Sequence, residues 1–86
     1  MSLVELFAGN NKIGDRGAEA LARLPRLSSL FLGFNDVGDT GARALGEAPC
    51  LQILELEANL ISSAGREALL ARGFRTLLLD GNPRAS

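Results

Sequence analysis

The chain has 86 residues, of which 47% are hydrophobic, and its 9 basic and 10 acidic residues give a net charge of -1. A chain of this size forms one small domain and hides only about 60 to 65% of the surface that the unfolded chain exposes, so we expect a thin margin of stability. The charge balance lacks the basic excess that binding to a phosphate backbone needs. Nucleic acid is therefore not an expected partner.

The residue types that most often carry chemistry are nearly absent. The chain has no histidine, which is the commonest metal ligand and general base, and its one cysteine, Cys50, cannot form an internal disulfide. No apolar run approaches the roughly 20 residues that a membrane helix needs, and no basic-then-apolar leader opens the chain. We expect a soluble chain without a cofactor, a metal site or membrane contact.

An internal repeat organises the chain. Segments that start at Leu27 and Leu51 fit the template L-x-x-L-x-L-x-x-N-x-L at every fixed position. A further copy starts 24 residues upstream, at Leu3, and another starts one residue early, at Phe74. Such a period identifies stacked repeat units. The sequence thus predicts a single domain over 1–86, as a fragment of a longer protein, with repeats 3–26, 27–50, 51–73 and a partial repeat 74–86.

The L-x-L part of each repeat predicts one short parallel strand. Side chains alternate between the two faces of a strand, so the residues expected to point inward are Leu6 and Ala8, Leu30 and Leu32, Leu54 and Leu56, and Leu77 and Leu79. A short amide then follows each strand and can satisfy turn backbone groups in its own and the adjacent repeat. We expect these amides to form a buried ladder of Asn11, Asn35, Asn59 and Asn82.

The second half of each repeat predicts a short helix. The candidate N-caps, which all belong to the favoured residue types, are Asp15, Asp39 and Ser63. Glycine recurs at one phase inside the helices and suggests that adjacent backbones approach closely there, at Gly17, Gly41 and Gly65. Proline ends the first two helices, at Pro25 and Pro49, and Gly73 is the expected C-cap of the third.

Over residues 3–82 the pattern L-x-x-L-x-L-x-x-N-x-I-G-D-x-G-A-x-A-L-A resembles the 24-residue GALA-type subclass of leucine-rich repeats, itself similar to the ribonuclease-inhibitor-like group. Arg66 replaces the first alanine of the helix motif, so the third helix is expected to pack differently. The resemblance implies an α/β right-handed solenoid, with short parallel strands on the concave face and short helices on the convex face. In such bacterial proteins it implies a binding scaffold, in some members part of an effector, so the chain would be cytoplasmic or secreted as part of a longer effector.

Strand positions that face away from the core form rows across the strands and supply the candidate binding residues. We expect a protein partner that offers an apolar group flanked by Lys or Arg, with the aromatic residues as anchors and the acidic residues orienting it. These candidates are Phe7, Phe31, Phe34, Glu55, Glu57, Leu78 and Asp80. Aromatic residues are also favoured on strands for their own sake, because cross-strand contacts are worth about 0.2 to 1 kcal/mol each.

Two other function classes remain open at this stage. The apolar ends of the repeat stack or the Phe cluster could make the chain a structural module that forms homo-oligomers. Catalysis would require Glu55, Glu57 or Asp80 to act on an open surface, where little desolvation would tune a carboxylate for acid–base chemistry. Binding without catalysis is the leading hypothesis.

Overall fold

The computed structural model describes residues 4–83. Strands and helices alternate along the chain as β1 (Val4–Phe7), α1 (Gly14–Ala22), β2 (Leu27–Phe31), α2 (Asp39–Gly46), β3 (Ile53–Glu55), α3 (Ser63–Arg72) and β4 (Thr76–Leu78). The four strands form one parallel sheet in the order β1-β2-β3-β4. The predicted α/β fold of parallel strands and helices is confirmed. Leu3, where the first predicted repeat begins, and residues 84–86 of the partial repeat lie outside the described residues.

The register of the sheet follows the sequence repeat. Glu5 pairs with Ser29 and Ser29 pairs with Ile53, which is an offset of 24 residues in both cases. Ile53 pairs with Thr76, one residue less. The missing residue falls after α3, where Gly73 adopts the left-handed conformation with φ 76°. This geometry, which glycine adopts without a Cβ penalty, makes Gly73 the C-cap that the sequence predicted.

The predicted inward-facing leucines form the core between the sheet and the helices. Leu30 and Leu54 are fully buried and pack in one cluster with Leu45 and Leu69 of the helices. In the outer strands the corresponding side chains, such as Leu6, are only partly buried, because each outer strand has a single neighbour. Full burial of a leucine stabilises the fold by about 1.5 to 3 kcal/mol, so the two central repeats carry most of the hydrophobic stabilisation.

The end of α3 is fixed to the preceding repeat by Arg72. Its guanidinium donates hydrogen bonds to the carbonyl oxygens of Gly46 at 3.2 Å and Leu51 at 3.0 Å. The same group lies 4.9 Å from the centre of the Phe74 ring, and Phe74 packs against the core. A cation at the C-terminus of α2 also interacts favourably with the helix dipole. Phe74 therefore belongs to the core, unlike the other three phenylalanines.

The predicted N-caps have different partners from those expected. Neither Asp15 nor Asp39 caps its own helix, since no side-chain cap hydrogen bond forms at the start of α1 or α2. Instead the Asp15 carboxylate accepts hydrogen bonds from the amides of Gly38 at 2.7 Å and Gly41 at 2.8 Å, at the start of α2. Each aspartate therefore caps the helix of the next repeat.

Asp39 repeats this arrangement one unit further along. Its carboxylate accepts hydrogen bonds from the amides of Ser62 at 2.8 Å and Gly65 at 3.1 Å, and from the Ser62 hydroxyl. Within the described chain, the third predicted cap, Ser63, makes no cap hydrogen bond to its own helix. The residue at the N-cap of α3 is Ser62, and its side chain makes no cap hydrogen bond either. The prediction failed because the caps act between repeats rather than within one.

The helical glycines explain how this close contact is possible. A Cβ atom added to Gly41 would lie 2.7 Å from the Asp15 Oδ1 atom and 2.9 Å from the Ala18 Cβ atom, and a Cβ atom added to Gly65 would lie even closer to the Asp39 Oδ1 atom. At these two residues the preceding repeat does approach closely, but through side chains and not through its backbone as predicted. Gly17 differs, because an added Cβ would meet only Ile13 of its own repeat. Arg66 is exposed in α3, whereas the equivalent Ala18 and Ala42 are fully buried, as the changed motif predicted.

Candidate functional site

The asparagine ladder holds the turns that follow the strands. Asn35 Oδ1 accepts hydrogen bonds from the amides of Asn11 at 2.8 Å and Ile13 at 3.2 Å, and its Nδ2 donates to the carbonyl oxygens of Ala8 and Gly33. Asn59 makes the same four bonds one repeat later. These two residues are buried, whereas Asn11 is exposed. The ladder is confirmed, and it is buried in the central repeats only.

The residue before each ladder asparagine has a left-handed backbone. The φ values at these four positions are 63° for Asn10, 61° for Phe34, 55° for Ala58 and 79° for Gly81. This conformation costs a residue with a Cβ roughly 1 to 2 kcal/mol, less for asparagine, and glycine adopts it freely. The repeat template does not predict this constraint on Phe34. The sequence signal for it is that Asn and Gly, which tolerate a positive φ, occupy two of the four positions.

Outward-facing side chains form four rows on the side of the sheet away from the helices, which we name the strand face. Strand pairing aligns the first row and the second row directly, and backbone hydrogen bonds of 2.8 to 3.0 Å beyond the strand ends continue the alignment through the third and fourth. The rows are Glu5, Ser29, Ile53 and Thr76; Phe7, Phe31, Glu55 and Leu78; Gly9, Gly33, Glu57 and Asp80; and Asn10, Phe34, Ala58 and Gly81.

Two of the predicted aromatic anchors are in direct contact. The ring centres of Phe7 and Phe31 lie 4.4 Å apart with an interplanar angle of 47°. Phe7 is 68% exposed although it lies on a strand, and Phe31 is partly buried beside it. Phe34 is 60% exposed, but it lies in the turn after β2 and not on the strand where the sequence analysis placed it. Leu78 is exposed at the far end of the second row.

The predicted acidic residues lie on the other half of the strand face. Glu55 is on β3 and pairs in register with Phe31 and Leu78. Glu57 and Asp80 lie beyond the strand ends, in the third row. With Glu5 they are the four acidic residues of the strand face, which contains no basic residue. The other six acidic residues and all nine basic residues lie in the rest of the chain.

Glu57 is less open than the sequence suggested. Its side chain lies across Gly33, where an added Cβ would be 3.2 Å from the Glu57 Oε1 atom. Within residues 4–83 this oxygen is buried and has no hydrogen-bond partner. A buried carboxylate oxygen without a donor is unfavourable, so a turn of the Glu57 carboxylate toward a hydrogen-bond donor would be favourable.

Other surfaces offer less chemistry. A shallow depression of about 350 Å³ between α1 and α2 is lined by Glu19, Ala22, Arg23, Ala44 and Glu47. Cys50 is exposed in a loop. Across the described part of the chain, no three His, Cys, Asp or Glu side chains come together as metal ligands would. None of the helices described has both the length and the apolar character required to cross a membrane.

Comparison with known families agrees with the repeat geometry. A family model described as Leucine Rich repeat matches residues 7–22 and 25–46, the stretches that hold α1, β2 and α2. The chain therefore contains leucine-rich repeats. Domains of this class generally mediate protein–protein interaction and are typically non-catalytic scaffolds. No curated protein sequence matches the chain.

Proposed function

We propose that this chain is a non-catalytic scaffold that binds a protein partner on the strand face. The contact between Phe7 and Phe31 carries the proposal. The core is built by leucines on the opposite side of the sheet, so the fold does not require an exposed aromatic pair. Exposed clusters of aromatic side chains are characteristic of protein interfaces, where buried aromatic anchors supply most of the binding energy.

Charge on the strand face defines the kind of partner. The acidic residues Glu55, Glu57 and Asp80 lie on the half of the strand face next to the aromatic pair, with Glu55 in register with Phe31, and no basic residue neutralises them within the four rows. A partner with complementary charge is attracted and oriented by such a surface. The proposed partner offers an apolar side chain for Phe7, Phe31, Phe34 and Leu78, together with Lys or Arg for the carboxylates.

Membership of the GALA-type, ribonuclease-inhibitor-like subclass belongs to the same proposal. It is supported by the 24-residue offset between the first three strands and by the glycines that meet the preceding repeat at Gly41 and Gly65. In this interpretation the chain is the binding part of a longer bacterial effector. Its proposed activity is to position a partner, since Ser29, the strand-face hydroxyl that pairs in register with the Glu5 carboxylate, is buried.

A display library of random 12-residue peptides tests the proposal. Peptides that the unmodified chain enriches are titrated against Phe31→Ala, with Leu60→Ala as a matched control that removes an exposed apolar side chain away from the strand face. We expect Phe31→Ala to weaken binding by roughly 30-fold, the effect of a 2 kcal/mol anchor, and Leu60→Ala to change it by less than about twofold. Undiminished binding by a folded Phe31→Ala variant would sink the proposal.

Self-association is a second candidate function. Within residues 4–83 the outer strands β1 and β4 each have one neighbour, and Leu70 is exposed on α3. A copy could stack on these surfaces or dock on the Phe pair. Sedimentation velocity over a hundredfold range of protein concentration separates these cases. Dimerisation lost in Leu70→Ala supports stacking, loss in Phe31→Ala supports the Phe pair, and a constant monomer excludes both.

A further inference from the structure

On the first two repeats, the third row of the strand face has only glycines and runs between two rows of larger side chains, and we name this stretch the slot. Gly9 and Gly33 occupy this row on the first two repeats and contribute no side chain of their own, and the Glu57 side chain lies across Gly33. A Cβ at Gly9 would already lie 3.3 Å from the Gly33 carbonyl oxygen. Phe7 and Phe31 bound the slot on the second row, and the fourth row, with Phe34, bounds it on the other side. The floor is backbone and one wall is aromatic.

Glu57 closes the slot on the side of the third repeat. Its carboxylate lies against Gly33, with the unpartnered Oε1 atom directed at the glycine. The terminal torsion of a glutamate is soft, so the carboxylate can turn to meet a donor. The slot therefore combines aromatic rings, exposed backbone and a carboxylate that lacks a hydrogen-bond donor.

We infer that this slot is a subsite for an arginine side chain of the protein partner. A planar guanidinium stacks on aromatic rings and donates two parallel hydrogen bonds to a carboxylate, and these are the two features that the slot provides together. A lysine ammonium is a compact, strongly hydrated charge that fits a flat aromatic wall less well. The strand face itself has no basic residue that could occupy the slot. The inference rests on the proposed function, because it specifies part of the partner.

Nuclear magnetic resonance titration with N-acetyl-arginine methylamide tests the subsite directly. The neutral citrulline analogue has almost the same shape and serves as the ligand control, and the lysine analogue tests the preference for a planar group. We expect arginine to shift the amide signals of Gly9 and Gly33 in a saturable way. The citrulline analogue should bind about tenfold more weakly, because a charge-assisted hydrogen bond is replaced by a neutral one.

Two substitutions test the slot from the protein side. Glu57→Gln keeps the shape but removes the charge, and Gly33→Ala places a methyl group 3.2 Å from the Glu57 Oε1 atom, which narrows the slot. We expect each to weaken arginine binding by about tenfold. Glu67→Gln, which removes an exposed carboxylate of α3 outside the strand face, is the matched control and should change binding by less than about twofold.

The outcomes separate this inference from the proposed function. The arginine subsite is overturned if the arginine and citrulline analogues shift the amide signals equally, or if the shifted signals lie only near carboxylates of the helices. Neither result depends on the folding of a variant. If Phe31-dependent peptides are found but bind Glu57→Gln unchanged, the proposed function stands and the subsite falls. If arginine binds the slot but no peptide depends on Phe31, the subsite stands and the proposed function falls.

Discussion

At the scale of single residues, the ladder asparagines show that one position of the repeat can contribute differently to stability in different repeats. The buried Asn35 side chain makes four hydrogen bonds, whereas the exposed Asn11 side chain makes one within residues 4–83, to the Gly9 carbonyl oxygen. Asn35→Ala should lower the free energy of unfolding by about 2 to 4 kcal/mol, because it leaves buried backbone groups unpaired. Asn11→Ala, its matched control, should lower it by less than 1 kcal/mol. Urea unfolding followed by circular dichroism compares them, and equal losses would contradict the ladder's unequal burial.

Phe34 has a backbone conformation that is unfavourable for its residue type. Its φ of 61° is unfavourable for phenylalanine, and its exposed ring gains little from burial. Phe34→Asn introduces the residue found at the same position in the first repeat and should raise the free energy of unfolding by roughly 0.5 to 1 kcal/mol. Phe7→Asn, at an exposed strand position without positive φ, should not stabilise. Urea midpoints measure both, and a destabilised Phe34→Asn variant would show that the Phe34 ring makes contacts that outweigh the strain.

At the residue scale, the sequence predicted which residues share a row, but not the backbone conformation or the side-chain packing of each residue. The leucine period placed Phe7 and Phe31 in one row because strand pairing follows the repeat. The template has no fixed residue before its asparagine, so the left-handed backbone of Phe34 could not be deduced from it. The burial of Glu57 Oε1 depends on the side-chain rotamer over Gly33, and a rotamer is set by packing that only coordinates show.

At the scale of elements, the start of each later helix depends on a carboxylate from the previous repeat. The Ser62 hydroxyl, and then the Ser62 amide, hold the pKa of Asp39 below its ordinary value of 3.8. A carboxylate with a lowered folded pKa stabilises the fold above its unfolded pKa, and this contribution is lost as the pH falls through the folded pKa. The junction between α2 and α3 should therefore weaken in acid, below about pH 4.

Asp39→Asn tests this dependence. The variant should be less stable than the unmodified chain at pH 7 by about 1 to 2 kcal/mol, since charge-assisted hydrogen bonds are lost. Its stability should also fall less steeply between pH 5 and pH 2.5, because the titrating group is gone. Glu67→Gln removes an exposed carboxylate of α3 and is the matched control. Urea unfolding at a series of pH values measures both effects, and parallel pH profiles for Asp39→Asn and the unmodified chain would refute the assignment.

The sequence predicted the helices and strands well, but it did not predict which residues cap the helices. Glycine and aspartate at a fixed phase indicated short helices, and those helices form close to the expected bounds. The cap type was also correct, because Asp15 and Asp39 do accept amide hydrogen bonds. Their partners lie 23 or 26 residues away, and rules for N-caps consider only neighbours in sequence.

At the scale of the whole molecule, stability is distributed unevenly along the stack. Repeat proteins gain stability mainly from contacts between neighbouring units, and within residues 4–83 β2 and β3 have neighbours on both sides whereas β1 and β4 have one. Amide hydrogen exchange should therefore be slowest in β2 and β3 and faster in β1 and β4. Exchange measured by mass spectrometry on peptic fragments checks this order. Protection of β4 equal to that of β2 would mean that the stack unfolds as a single cooperative unit.

The aspartate contacts between repeats also define what can be moved when such an array is lengthened, shortened or shuffled. The helix of each repeat is capped by an aspartate of the repeat before it, and the same repeat has an aspartate that caps the next helix. Two repeats are therefore compatible only when the carboxylate of the first meets the glycine of the second. Asp39 and Gly65 satisfy this condition, as do Asp15 and Gly41. A duplicated unit that spans residues 27–50 carries both Gly41 and Asp39, so each of its junctions would again pair an aspartate with a glycine. These hydrogen bonds cross each junction in one direction, so recombination between arrays must preserve the order of aspartate and glycine along the chain.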